Sequence, residues 1–375
     1  MKLALCLFKY FPYGGLQRNF LAISRELIRR GHEVTIYAGV WEGERDADLD
    51  IKVLPITGFT NPGKNSSFYH EMQQSLDKCP ADLVIGFNKM PGLDVYYCAD
   101  TCFATKAFEE KNWIFRTTQR SRTSLEYEEA VFGNSVTTEI LLLSATEGTA
   151  FQKYYGTRPE RMHLMPPGIS KSRVRNAQSK VMAAAIRQEF DIHDDEKVIA
   201  FLGSDYKRKG LDRVLHAMAA LEENIKAAAR LLVIGQDKRQ MTYVKLAEKL
   251  GIGEQVLFVG QRDDVPSFLF ASDCLAHPAY LENTGNVLLE AVVAGLPVIC
   301  SGICGYAHYI EENELGAVIP LPFSQQLMNS ELQKLLTNDV DWELQCAKFA
   351  ETADIYSRPL RAAEAIEHIG EQRCL

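Results

Sequence analysis

The sequence predicts an α/β protein built from two doubly wound, Rossmann-like domains of parallel sheet. Three observations carry this. Short unbroken apolar runs such as 3–8 (LALCLF) and 197–204 (KVIAFLGS) read as strands covered on both faces, the pattern of a parallel sheet. Each run leads through a loop into a stretch of helical period, so strands alternate with helices rather than with hairpin turns. The rhythm pauses at Pro166-Pro167-Gly168 and restarts after a polar helix at 176–190, dividing the 375 residues into 1–167 and 168–354. The two domains are expected to face each other across a ligand cleft, and the terminal helix within 355–375 could cross back onto the first.

Composition removes several function classes. With 46% hydrophobic and 24% charged residues the chain can build ample core, and its formal charge of −8 argues against general nucleic-acid binding. No run of eighteen apolar residues occurs, and the first residues read as a strand rather than a signal peptide. Nine cysteines, an odd number without CxxC pairs, read as reduced packing residues of a cytoplasmic protein, and no zinc-site spacing accompanies them.

In the first half, strand 3–8 opens into Gly14-Gly15 and a helix whose Leu16, Phe20, Ile23, Leu27 and Ile28 keep period until Gly31. Strand, glycine loop and helix together can cradle phosphate, but the three-glycine dinucleotide fingerprint is missing and a tight turn without ligand fits equally. Strands follow at 32–39 and 51–56. Asp46-Ala47-Asp48 between them spells a metal-binding Asp-x-Asp, yet no apolar strand aims it, and a solvated loop is the reading adopted. After a helix at 64–79, strand 82–87 delivers the loop 88–92, with Lys89, to the sheet edge where open α/β sheets bind ligands. The next strand ends in Asp100, either a catalytic acid at that edge or a helix cap. Segment 103–132 differs in character. Trp113, Ile114 and Phe115 stand beside Lys111, Arg116, Arg120 and Arg122, the combination that rests on an anionic bilayer; an amphipathic helix packing its aromatics inward fits as well. Strand 139–144 and a strand entering Pro-Pro-Gly complete the half.

In the second half, Arg208 and Lys209 follow strand 197–204 just before a helix, a guanidinium and an ammonium placed to suit a diphosphate. Arg262, again after a strand, could frame a base or sugar. The densest stretch is 275–298: a strand at 274–277, a loop with Glu282 and Gly285, and a helix from about Asn286 to Ala294 that is apolar all round except for Glu290. A buried carboxylate needs a partner or a cleft, so Glu290 is expected to face one at the helix's first turn, where free N–H groups favour an anion. The alternative keeps Glu282 in water and Glu290 in a structural ion pair. Strands 296–301 and 316–320 and helices at 324–338, 342–354 and 358–369 close the chain.

The spacing Glu282-x7-Glu290, with Gly285 inside and Ala291 after, resembles the donor-site signature of retaining glycosyltransferases of the GT-B fold. Further motifs, KYFPYGGLQR (9–18), GFNKMPGLDVYY (86–97), PPGI (166–169), RKG (208–210), GQDK (235–238), LLEA (288–291) and ICGYAHYI (303–310), are similar to those of lipopolysaccharide core glucosyltransferases that add a glucose to an inner-core heptose. The resemblance implies UDP-glucose as donor, retention of the α configuration, no metal or other cofactor, and a lipid-borne heptose acceptor at the inner face of the inner membrane. By position it assigns Glu282 to the donor sugar's hydroxyls and Glu290 to the ribose. It gives Arg208 and Lys209, assisted by Arg173, to the diphosphate, places Arg262 by the uracil, and has Gly15 leave room for phosphate. Asp100, Glu282 and Lys209 become the catalytic candidates and Lys89 an acceptor contact. It also strengthens the membrane reading of Trp113, Phe115, Arg116 and Arg120.

Asn19 stands where this family is expected to have Asp; an amide orients a hydroxyl but cannot take its proton. Asn283, Thr284 and Asn286 also depart from the small and apolar residues expected around Gly285, which bears on sugar choice. Two other readings stay open: a UDP-sugar epimerase on the same fold, and a non-catalytic nucleotide-binding protein.

Overall fold

Parallel strands that bury both faces need helices on both sides, and the chain supplies them twice. The structure, a computed structural model, describes residues 1–12 and 14–373; Tyr13 of the 9–18 motif and Cys374, one of the nine cysteines, lie outside them. The chain forms two compact units, residues 1–168 together with the segment from Ser357 onward, and residues 169–356.

The first unit holds a sheet of β1 (Lys2–Tyr10), β2 (Glu33–Trp41), β3 (Asp50–Val53), β4 (Leu83–Gly86), β5 (Val95–Cys98), β6 (Glu139–Leu142) and β7 (Met162–Leu164), in the order β3-β2-β1-β4-β5-β6-β7. The second holds β8 (Lys197–Leu202), β9 (Ala229–Ile234), β10 (Val256–Gly260), β11 (Cys274–His277), β12 (Val298–Ser301) and β13 (Gly316–Ile319), ordered β10-β9-β8-β11-β12-β13. Every pairing of these strands is parallel. Each sheet winds outward from its first strand and then returns to that strand's other side, so its order reverses between β1 and β4 and between β8 and β11. Loops leaving such a reversal splay apart and leave a crevice at the strands' carboxyl ends.

Both faces of each sheet carry core. On one face of the first sheet Leu5, Phe20, Ile23 and Leu27 pack with Ala362, Ala363 and Ile366 of the last helix, Arg358–Arg373. On the other lie Phe68, Tyr96, Phe132 and Phe151. The last helix is fixed by ions at its start and past its middle. Its fully buried Arg358 donates Nε to the Pro166 carbonyl at 2.8 Å, and Glu367 accepts from Arg30 Nε at 2.9 Å and faces His32 Nε2 at 2.7 Å.

Three local expectations are corrected. The strand expected at 51–56 ends at Val53, before Pro55 removes a donor N–H. Arg208 and Lys209, expected between strand 197–204 and the next helix, lie in a short helix of their own, Tyr206–Lys209, because Asp205 caps it by accepting Arg208 N–H at 3.2 Å. Segment 103–132 is not one amphipathic helix. It breaks into Phe103–Thr105, a π-helical turn Lys106–Glu110, Trp113–Thr117 and Gln119–Phe132, since Asn112 and Thr118 each cap a fresh start. All eight described cysteines are free, and all but Cys79 are buried.

Candidate active site

The reversal of the second sheet brings two loops together. One leaves β8 and carries Arg208 and Lys209; the other, residues 278–285, leaves β11 and carries Glu282. Gly210 joins them. It adopts φ +80°, and a Cβ there would stand 2.1 Å from the Pro278 carbonyl oxygen, so only glycine permits the approach. Tyr280 N–H then donates to the Arg208 carbonyl at 2.8 Å. From the next helix, Leu211–Ala219, Arg213 donates Nη1 to the carbonyls of Pro278 at 3.0 Å and Ala279 at 3.1 Å. Its guanidinium lies between the rings of Tyr280 and Phe323, 3.5 and 3.7 Å from their centroids. The Glu282 loop is thereby held through its backbone, not only through its charge.

Glu282 is nearly buried and meets three cationic or donor groups. Lys209 Nζ pairs with its Oε2, Arg208 Nη1 lies 3.8 Å from its Oε1, and His277 Nε2 lies 3.2 Å from its Oε2. Burial alone would raise the Glu282 carboxyl, but the His277 hydrogen bond and the Lys209 charge outweigh it and hold the group well below the usual carboxylate range. Burial pushes the His277 imidazole down, against the pull of Glu282. A neutral ring facing an acceptor-only carboxylate must carry its proton on Nε2. Its Nδ1 is buried without a hydrogen-bond partner.

Gly285, at φ +79°, is the N-cap of the helix Asn286–Val293. Glu290 is the fifth residue of that helix, so it sits one turn beyond the first turn where the sequence placed it, buried among Leu288, Leu289 and Ala291. The helix opens at Asn286 as predicted, but a turn holds only 3.6 residues, so its fifth position already lies past the first turn. Arg173 lies in the turn Lys171–Arg173, with its Nη1 buried and without a hydrogen-bond partner. Arg262 is brought into a separate network. It grips Glu189 at 2.8 and 3.1 Å and Asp264 at 2.9 Å, above the Phe268 ring, without a contact to Glu282, Arg208 or Lys209.

In the first unit Gly15 opens the helix Gly15–Arg29 after β1, and a Cβ there would meet no atom within 4 Å. Asn19 is half-buried on its second turn. The ends of β1, β4 and β5 border a cavity of about 430 Å³ whose lining includes Phe8, Asn88, Lys89, Asp100, Lys106 and Arg120. Lys89 is not free within it. Its Nζ pairs with the fully buried Glu128 and donates to the Thr101 carbonyl at 3.0 Å. Burial opposes the Lys89 charge, yet Glu128 and Asp100 overcome it and raise its pKa. Glu128 also accepts the N–H groups of Phe103 and Ala104, both at 2.9 Å, and the Tyr155 hydroxyl at 2.7 Å. Of the proposed membrane residues, Trp113 is exposed, Phe115 leans on Phe103 with centroids 6.1 Å apart, and Arg116 lies 5.0 Å above the Phe108 ring. Among the described residues no group of three His, Cys, Asp or Glu side chains could hold a metal, and Asp46 of the Asp-x-Asp pairs with Arg25 at 2.9 Å.

His277, Arg213 and Glu128 were not singled out from sequence. A signal existed for His277, the one polar residue closing an apolar strand. Glu128 was masked by its acidic neighbours Glu126 and Glu129.

Residues 182–354 match the model of the glycosyl transferases group 1, and residues 13–173 that of glycosyltransferase family 4. The chain is 42% identical over 369 residues to the lipopolysaccharide glucosyltransferase WaaG of Escherichia coli K12, covering 98% of each protein. It superposes on the crystal structure of WaaG, described as a glycosyltransferase involved in lipopolysaccharide biosynthesis, with a TM-score of 0.90 over 97% of this chain and 99% of that one. The Anabaena protein HepE, solved with UDP and glucose, shares the fold at 18% identity, with a TM-score of 0.73 over 98% of this chain and 100% of that one.

Proposed function

This chain belongs to the group 1 glycosyltransferases of the GT-B fold, and from that premise we propose that it moves glucose, with retention of the α configuration, from UDP-glucose onto an inner-core heptose of lipopolysaccharide. The observation that carries the reading is the 42% identity to WaaG across 98% of both proteins. The geometry of the second unit supports the donor half. An ammonium has three donors, so Lys209 can keep Glu282 and still offer hydrogens to a diphosphate beside Arg208. Charge stabilisation of the departing diphosphate is then the main catalytic contribution, with Lys209 and Arg208 as its source. Glu282, ionised and fixed by His277, is left to accept from the sugar's hydroxyls. Glu290 takes the ribose, and the orphaned Nη1 of Arg173 is a further donor for phosphate. Gly15 and Asn19 are further donor-contact candidates of this reading. For the Arg262 role beside the uracil one Nη1 hydrogen remains, since four of its five N–H donors go to Glu189 and Asp264. The incoming hydroxyl attacks on the face the diphosphate leaves, with no metal or other cofactor required.

In the first unit, Asp100 and the wall containing Lys89 take the acceptor. Trp113, Phe115, Arg116 and Arg120 rest on the anionic inner face of the inner membrane; among the described residues no helix is long and apolar enough to cross a membrane. Transfer of labelled glucose from UDP-glucose to core lipopolysaccharide truncated at heptose tests the reaction, and no transfer with either anomeric product would sink it. Incubation with UDP-glucose alone separates an epimerase, which would accumulate a new sugar without acceptor. Sedimentation with phosphatidylglycerol vesicles tests the membrane role: binding unchanged after replacing the four membrane residues together would end it.

A further inference from the structure

The cavity of the first unit holds more charge than a neutral sugar needs. Three cations line it, Lys89, Lys106 and Arg120, against one carboxylate, Asp100. Lys89 is neutralised from behind by Glu128. Among the described residues neither Lys106 nor Arg120 has such a partner, and Glu109 and Glu128 are engaged elsewhere. Glu109 binds Lys153 and the Tyr154 hydroxyl, both at 2.6 Å, and Glu128 binds Lys89. The π-helical turn Lys106–Glu110 carries the first cation and the start of Gln119–Phe132 the second, so the break in segment 103–132 is what brings both to one wall.

The remaining wall is built for hydroxyls. Asn61, Asn65 and Asn88 supply amides, and Thr101, Thr123 and Ser124 supply hydroxyl groups. Asn88 is already oriented: its Oδ1 accepts the Phe8 N–H at 2.8 Å, which leaves its NH2 to donate. A volume of about 430 Å³ suits a sugar with a substituent rather than an ion alone.

We propose that this cavity binds a polyhydroxylated sugar bearing an anionic substituent, a phosphate or carboxylate, with Lys106 and Arg120 on the anion and Asp100, Asn61 and Asn88 on the hydroxyls. The inference deepens the acceptor reading and rests on it: the acceptor sugar is recognised by a charged group beside the hydroxyl that is glucosylated.

The test is calorimetric titration of the full chain with a seven-carbon sugar phosphate, sedoheptulose 7-phosphate, beside unphosphorylated sedoheptulose and inorganic phosphate. The phosphorylated sugar is expected to bind at least tenfold tighter than either component, since a hydrogen bond to a charged group is commonly worth that factor or more. Lys106→Gln with Arg120→Gln should remove that advantage and leave binding of the neutral sugar unchanged, whereas Asn88→Ala should weaken both sugars. Equal binding of the two sugars, or an unaltered advantage in the double variant, overturns the proposal. So does inorganic phosphate binding as tightly as the sugar phosphate, which marks a plain anion site, or phosphatidylglycerol vesicles engaging the two cations when the sugar phosphate does not, which marks a lipid headgroup site. UDP-glucose titrated into the same samples reads the donor reading separately: lost donor affinity with intact sugar-phosphate binding counts against the glucosyltransferase, not against this cavity.

Discussion

The carboxyl edges of the two sheets use the same kind of pair for opposite ends. At the second sheet, Lys209 meets the nearly buried Glu282, and Arg208 and His277 share the same carboxylate. At the first sheet, Lys89 lines the cavity with the fully buried Glu128 behind it, and Glu128 spends its oxygens on backbone N–H groups and Tyr155. The first pair is held by neighbours that would persist without either member. The second is itself what holds its neighbours. An ion pair therefore reveals its role through what else its members bind, not through its burial.

That difference can be broken at either end. The largest expected effect is on turnover: Lys209→Ala should lower kcat at saturating UDP-glucose by roughly a hundredfold or more, while Glu282 keeps His277 and Arg208 and the melting temperature moves little. Unchanged kcat would remove Lys209 from the chemistry. Glu128→Ala should act the other way. It strands a buried ammonium and two N–H groups, a loss of about 3–5 kcal/mol by denaturant titration, with donor affinity in the surviving folded protein unaltered. A stability equal to wild type would mean that Lys89 finds water instead.

A smaller effect sharpens the comparison around Glu282. His277→Leu deletes the hydrogen bond that orients Glu282, and should raise KM for UDP-glucose about tenfold with little change in the fold. His277→Gln, which can still donate, should recover most of it. Equal KM values for the two variants would assign His277 to packing alone.

Much of this arrangement was legible in the sequence, for reasons that differ by region. The strands declared themselves because a doubly covered strand cannot tolerate polar residues, as 3–8 and 197–204 show. The Arg208-Lys209 pair and Glu282 were legible because strand ends followed by helices place side chains at a known edge. Gly285 marked the helix start and Asn286 does open the helix, but Glu290, four residues further on, falls past a first turn of 3.6 residues. The breaks in 103–132 were not legible. Asn112 and Thr118 are ordinary surface residues until their side chains accept an N–H, and composition cannot distinguish that from a continuous helix. Arg213 was hidden for a related reason: its stacking partners Tyr280 and Phe323 are distant in sequence and met only in the fold.

The smallest predicted effect sets Glu282 against a carboxylate of similar depression and no chemistry. Glu367, on the last helix, is held down to about 2 by its hydrogen bonds with Arg30, against partial burial, and by His32. Its folded value lies below the ordinary 4.5, so the stability it contributes is complete above that value and is lost as pH falls toward about 2. Glu367→Gln should therefore lower the urea midpoint at pH 7, and the gap to wild type should narrow at pH 3 as the unfolded chain's carboxyls protonate. Glucosyl transfer at pH 7 should stay as it was, because among the described residues Glu367 pairs with Arg30 and His32 alone. A gap that stayed constant between the two pH values would show the helix to be docked by its Ala362, Ala363 and Ile366 face alone, with the ions idle. A gap that closed while transfer held would separate the two depressed carboxylates, with Glu367 serving to fix a helix.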